Sequence, residues 1–401
     1  MITSKLHSVI FFILLSLPVF AQEDSIAPPP PKPDLKWFET ISFGGYVQAR
    51  YNRLLETNPD MGCEQCDGSW GEGNGFSLRR VRIKFSGNLG DYVSFYIQPD
   101  FASSGGQHLG QLRDAYFDVS LDKDREYRFR FGQSKVPYGF ENMQSSQNRL
   151  PLDRNDAMNS SIKNERELGV FFYWTPKVVQ QRFSMLTKQG LKGSGDYGVL
   201  GLGVFNGQTG NAAELNDKLH VVARVSYPFQ IGNQIIEPGI QAYTGEYQMP
   251  AGNISNGTIV NNDLNYLDQR VAASFILYPQ PFGIQAEYNI GKGPEFNKET
   301  NTIEVTPLHG GYATLTYMTQ VGNHILFPFT RFHYYDGGKK FERDARSYLV
   351  KELEIGVEWQ PFKAFELVAM YTISSRRYED FILRDNLQEG SLLRLQAQVN
   401  F

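Results

Sequence analysis

The sequence predicts an all-β fold, a transmembrane antiparallel β-barrel of about 16 strands. Three observations predict it. Segment after segment alternates polar and apolar residues with the two-residue period of a strand. Short and long connections alternate along the chain, the pattern of periplasmic turns and outer loops. Past the N-terminal leader, no apolar run reaches the roughly 20 residues that a membrane helix needs.

The leader comes first. Met1–Gln22 carries one cation, Lys5, then an apolar run from Val9 to Leu17 and a small residue at Ala21. This predicts a signal peptide over 1–21, and hence export. Residues 22–36, with the run Pro28–Pro31, read as a Pro-rich periplasmic lead-in. The remainder, 37–401, contains no linker and no helical domain. Its mean hydropathy of −0.38 is too polar for a bundle of membrane helices, and a net charge of −4 gives no basic domain for nucleic acid.

The strand segments follow in order. Ile41–Asn52 alternates Phe43, Val47, Ala49 and Tyr51 with Ser42, Gln48, Arg50 and Asn52. Leu78–Gly87, LRRVRIKFSG, sets Arg80, Arg82 and Lys84 against Val81, Ile83 and Phe85. Val93–Phe101, Leu112–Leu121 and Tyr127–Phe131 behave alike, the last with Arg128 and Arg130 on its polar face. The final stretch, LLRLQAQVNF, alternates to Phe401, a terminal aromatic of the kind read by the barrel-assembly machinery. Short turns stand at 88–91, 122–125, 279–282, 321–324 and 361–364. Long connections are expected at 53–75, 102–111, 135–166, 247–265, 292–308, 337–346 and 375–390. Aromatics beside Pro176, Pro228, Pro279 and Pro361 mark turns at an interfacial girdle. Between Pro176 and Pro228 three segments compete for two strands. Parity favours 197–206 and 219–228 and leaves 177–190 as a short helix or irregular piece.

Cys63 and Cys66, in CEQC, form a candidate disulfide in an exported loop. A single CxxC lacks the second ligand pair of a zinc site, and Gly-rich sequence follows it where a thioredoxin-like motif needs a helix. No metal or cofactor is expected. GxSxG, HExxH and the P-loop pattern are all missing, so no enzyme is expected.

A strand with one face in lipid cannot carry charge on that face without a cost of about 2–4 kcal/mol at the midplane. Arg80, Arg82, Lys84, Arg128 and Arg130 therefore face the lumen. Rows of Arg or Lys in a water-filled pore favour anions. The 135–166 connection is too long for a hairpin, and loops of that length carry function. Its cations Arg149, Arg154 and Lys163, with Arg166 at its end, nearly balance Glu141, Asp153, Asp156, Glu165 and Glu167. Such balance predicts a loop held by ion pairs, folded inward as a constriction. The residues thus predict a passive channel for small anions in outer-membrane lipid. A general diffusion pore with little ion preference and a plugged structural barrel remain as alternatives.

GGYVQARY, GFSLRRVRIKFSG, YIQPDF, LRDAYFDV, FRFGQSKVPYGFE and RELGV, in that order, resemble the phosphate-selective porin family of the O and P type. The resemblance spans roughly 40–401. It implies a homotrimer of sixteen-stranded channels in the outer membrane of a Gram-negative bacterium. It further implies an inward third loop, a lumen lined by Arg and Lys, and phosphate or polyphosphate as candidate solutes. Lys135 matches the FGQ-x-K-x-P piece, Arg82 and Lys84 the basic strand, and Arg166 falls just before the next strand. Ser134 stands where the family often has an aromatic.

Overall fold

The structure, a computed structural model, describes residues 36–66, 70, 75–104, 107, 108 and 110–401. The expected leader, and the expected lead-in up to residue 35, lie outside these. A 3-10 turn over Trp37–Thr40 leads into the first strand. The staves are β1 (Ser42–Leu54), β2 (Phe76–Leu89), β3 (Val93–Asp100), β4 (Gln111–Ser120), β5 (Tyr127–Lys135), β6 (Arg166–Trp174), β7 (Leu200–Phe205) and β8 (His220–Ser226). They continue with β9 (Gln234–Gln248), β10 (Asn265–Leu277), β11 (Phe282–Asn297), β12 (Thr302–Tyr317), β13 (His324–Gly338), β14 (Ser347–Phe362), β15 (Phe365–Glu379) and β16 (Leu387–Asn400). Phe229–Ile231 and Thr319–Val321 only prolong β8 and β12 at the turn end, so the barrel has 16 strands.

Each stave pairs antiparallel with the next, and β16 returns to β1 through Val47↔Val399 and Ala49↔Ala397. No edge is left open, which is the condition for backbone in lipid. The alternation read from the sequence decides the two faces. Along β10, Val271 and Phe275 are 45 % and 44 % exposed, while Arg270, next to Val271, is 2 % exposed. The outer wall is therefore an apolar belt, and the charged residues line the inside.

The 177–190 segment is a helix, α3 (Lys177–Lys188), as parity required. It follows two single-turn helices of the β5–β6 loop, α1 (Phe140–Met143) and α2 (Asp156–Asn159). Val179, Phe183 and Leu186 fall on one face of α3, the i, i+4, i+7 pattern of a buried stripe. They pack on Ile235, Ile276 and Tyr278 of the wall and on Phe140 of the β5–β6 loop. Two expected connections are corrected: 375–390 narrows to 380–386, since β15 runs to Glu379 and β16 begins at Leu387, paired with Arg377. Residues 292–308 are not a loop: β11 and β12 stay paired from Lys292↔Pro307 to Asn297↔Thr302 and turn only at 298–301. The polar side chains of that stretch, including Thr306 bonded to Glu295, had the look of loop but satisfy one another across the ladder.

Candidate functional site

Long-loop residues and strand ends meet around a cavity of about 630 Å³. Its lining includes nine cations, Arg79, Arg80, Arg82, Arg113, Arg154, Lys163, Arg166, Lys339 and Arg346. Four carboxylates face them there, Glu64, Asp100, Glu165 and Glu342. The Cys63–Cys66 disulfide forms, and Cys63, Cys66 and Trp70 belong to the cavity lining.

The basic strand supplies this cavity through its pleat and through one irregularity. Arg80 and Arg82 are buried on the inner face of β2. The register between β1 and β2 slips at Gln48/Ala49, so that Gln48 pairs with Arg80 but Ala49 with Leu78. The extra residue is Arg79. A bulge re-aims a side chain, and Arg79 lines the cavity where strict alternation would send it outward. Strand period alone misses it. The only signal is two adjacent arginines in an otherwise alternating run.

Hydrogen bonding decides how much of this charge is cancelled. Arg82 Nε donates to Asp100 at 2.8 Å, and Arg113 Nε shares that carboxylate at 3.3 Å. Arg80 donates to the Gln48 amide oxygen at 2.8 Å, and Lys84 Nζ to the Gln147 amide oxygen at 2.5 Å. A neutral amide satisfies the donor and leaves the charge in place. Arg128 and Arg130 sit elsewhere and do not line the cavity. Arg130 forks onto Asp118 at 2.8 and 2.9 Å, and Arg128 pairs with Asp196 at 2.9 Å beside Thr175. Lys135 also stands back from the cavity, donating to the carbonyls of Met143 and Gln144 at 3.0 and 2.7 Å.

The β5–β6 loop is buried, and its polar groups bond mainly to the charged face of the wall. This differs from the internally balanced loop expected from its composition. Asp153 accepts from Arg50 of β1 at 2.9 Å and Arg394 of β16 at 2.5 Å, with Arg79 at 3.6 Å. Glu141 accepts from Arg331 of β13 at 2.7 Å, and Asp156 from Arg376 of β15 at 2.7 Å. Glu287 of β11 accepts the backbone N–H groups of Phe140 and Glu141. Arg270 of β10 donates to Ser160. These wall partners lie far off in sequence, and no local pattern reveals them. Arg166 is the first residue of β6, not a loop residue, and it binds Asp114 at 2.9 Å. Lys163 is the exposed cation of the loop.

Glu165 is the loop's own exception. Arg154 Nε lies 3.1 Å, Arg149 3.4 Å and Lys135 3.9 Å from its carboxylate, and Arg166 also binds it. Burial pushes this carboxyl up, but Arg154, Lys135, Arg166 and Arg149 outweigh it and hold it well below the usual carboxylate range. Burial together with Arg149 and Arg166 pushes the Arg154 guanidinium down to about 10, against the pull of Glu165.

The geometry offers a basic vestibule. Comparison with known proteins agrees. A family model described as phosphate-selective porin O and P matches residues 55–401. No curated protein matches the chain. Among solved structures, the outer-membrane channel DcaP of Acinetobacter baumannii is similar at 15 % identity and a TM-score of 0.56, over 90 % of this chain and 97 % of that one. The anion-selective porin from Comamonas acidovorans has 9 % identity and a TM-score of 0.53, over 90 % and 99 %. The trimer form of OmpT of Vibrio cholerae has 9 % identity and a TM-score of 0.52, over 90 % and 99 %.

Proposed function

The chain belongs to the phosphate-selective porin O and P family, and from that premise we propose that this outer-membrane channel passes small anions by way of its basic vestibule. The excess of nine lining cations over four carboxylates carries the reading. Charges in a narrow channel with low-dielectric walls are screened less than on an open surface. Arg80, which lines the vestibule, and Lys84, behind it, bond to the amides of Gln48 and Gln147, which carry no opposing charge. Several weak cationic sites in series move an anion along without trapping it. Arg80, Arg82, Lys84, Arg128, Arg130 and Lys135 are the proposed wall of that path. The β5–β6 loop, with Arg149, Arg154, Lys163 and Arg166, is its proposed constriction. Phosphate and polyphosphate are the proposed solutes, and the trimer form of OmpT supports a homotrimer. Phe401, at the β1–β16 seam, is the proposed contact for the assembly machinery.

The first test is a reversal potential in a KCl gradient across a planar bilayer holding the purified protein. A potential on the chloride side, with phosphate blocking chloride current, is the expected result. A value near zero or on the potassium side overturns anion selection.

A pH dependence follows from one lining group. Burial raises the Glu342 carboxyl, Lys339 pulls it down, Glu64 adds to the rise, the Tyr348 hydroxyl and Arg346 pull it down again, and the balance stands at about 7. Below that pH Glu342 is neutral and the vestibule gains one unit of positive charge. Chloride preference should therefore rise as pH falls from about 8 to 6. In Glu342→Gln the slope should vanish. An equal slope in the variant would assign the titration to another group.

A further inference from the structure

Among the cations of the proposed path stands one carboxylate, Glu165, to which the channel reading gives no role. Arg149 is 5 % exposed, yet none of its three guanidinium nitrogens has a hydrogen-bond partner. One nitrogen of Arg154 is likewise buried without a partner. A buried donor left unmade is costly, so donors here exceed the acceptors that one carboxylate provides. Glu165 lines the cavity, whereas Arg149 does not. The carboxylate, 3.4 Å from Arg149, is thus the member of this pair that meets the solute space.

The backbone shows how it is held there. Asn164 and Glu165 have φ of 62° and 72°, two successive non-glycine residues in the left-handed region. Such residues persist only where their surroundings enforce them, and they cluster at functional sites. Here the enforcing bonds are Glu165 N–H to the Ile162 carbonyl at 3.1 Å and Thr209 Oγ1 to the Lys163 carbonyl at 2.8 Å.

We propose that Glu165 is a tethered counter-ion occupying an oxyanion site built by Arg149, Arg154, Arg166 and Lys135, and that it sets which anions the channel retains. The inference rests on the anion-channel reading. A tethered group competes at a high effective concentration. A singly charged carboxylate offers the site nothing that Glu165 does not already supply. A tetrahedral oxyanion of charge −2 offers twice the charge and enough oxygens to satisfy the unpartnered donors of Arg149 and Arg154. Glu165 then swings aside without being consumed, so the anion passes on when it returns. The ligand class is a divalent oxyanion, hydrogenphosphate or sulfate, in preference to chloride or a monocarboxylate.

The test is block of chloride current in planar bilayers, with sulfate as divalent probe and formate as monovalent probe. On the native protein sulfate should block and equal formate should not. In Glu165→Gln the half-blocking sulfate concentration should fall about ten-fold, and formate should begin to block. A half-blocking concentration within two-fold of native, with formate still inert, overturns the proposal. If Glu165→Gln does not assemble, as judged by heat-dependent migration on a gel, Arg149→Gln decides. Removing one site cation should raise the half-blocking sulfate concentration about five-fold, and no change overturns the proposal. Native protein that reverses on the potassium side removes the channel reading itself. Native protein that is chloride-selective but blocked alike in native and variant removes only the role of Glu165.

Discussion

Replacing residues 141–163 by a flexible Gly-Ser linker should raise single-channel conductance about three-fold or more and move the chloride preference toward unity. A ring of sixteen strands leaves an aqueous channel, so what fills this one comes from the loops, the β5–β6 loop and the α3 segment among them. The loop brings buried Met143, Leu150, Leu152, Ala157 and Met158 into that space, together with the acids that dock it. Removing it also removes Arg149, Arg154 and Lys163, three of the four cations proposed for the constriction. The wall arginines it leaves, such as Arg50, Arg331 and Arg376, become hydrated and screened. They are not stranded in a dry interior, so the barrel should still assemble. Conductance equal to that of the native protein would mean that the loop is not the constriction, and weight would pass to α3.

Asp153→Ala should undock the loop without opening the barrel. One carboxylate answers Arg50, Arg394 and Arg79 from three different staves. Breaking a buried ion pair by deleting one partner costs about 3–5 kcal/mol, because the remaining charge stays buried and unanswered. The loop escapes that cost by moving away and letting water in. Arg149 and Arg154, protected in the native protein, should then become sites of trypsin cleavage in the folded barrel. By contrast, the exposed pair Lys177–Asp124 at 2.6 Å links two solvated side chains, and Asp124→Ala should leave the digestion pattern unchanged. Cleavage within 149–154 in both variants, or in neither, would show that Asp153 is not the anchor.

Much of this architecture was legible because barrels are built from local rules. Strand period located the staves, parity settled the 177–218 region, and the inward aim of Arg80 and Arg82 followed from the price of charge in lipid. The 292–308 reading failed because it equated polar composition with loop, whereas a hairpin above the membrane is polar on both faces. Arg79 escaped because a bulge shifts the period by one residue. The docking of the loop escaped for a different reason. Arg50 and Asp153 are 103 positions apart, and Arg331 and Glu141 are 190 apart. Alternation records which way a side chain points and says nothing about what it meets. The same limit hid the contact between Phe140 and α3.

The seam between β1 and β16 sets the order of events in assembly. Gln48 and Gln398 bond across it at a separation of 350 positions, and Gly45 exchanges two backbone hydrogen bonds with Phe401. Every other stave can pair with its neighbour through a connection in the chain. This pair joins segments from the two ends of the ring. Until it closes, both strands present bare N–H and C=O groups, which templates strand addition by another chain. Joining such distant segments is also slow, since the closure entropy is met before any bond repays it. The finished ring hides this history, but it makes the unclosed barrel a species that the cell has to shelter from its own kind.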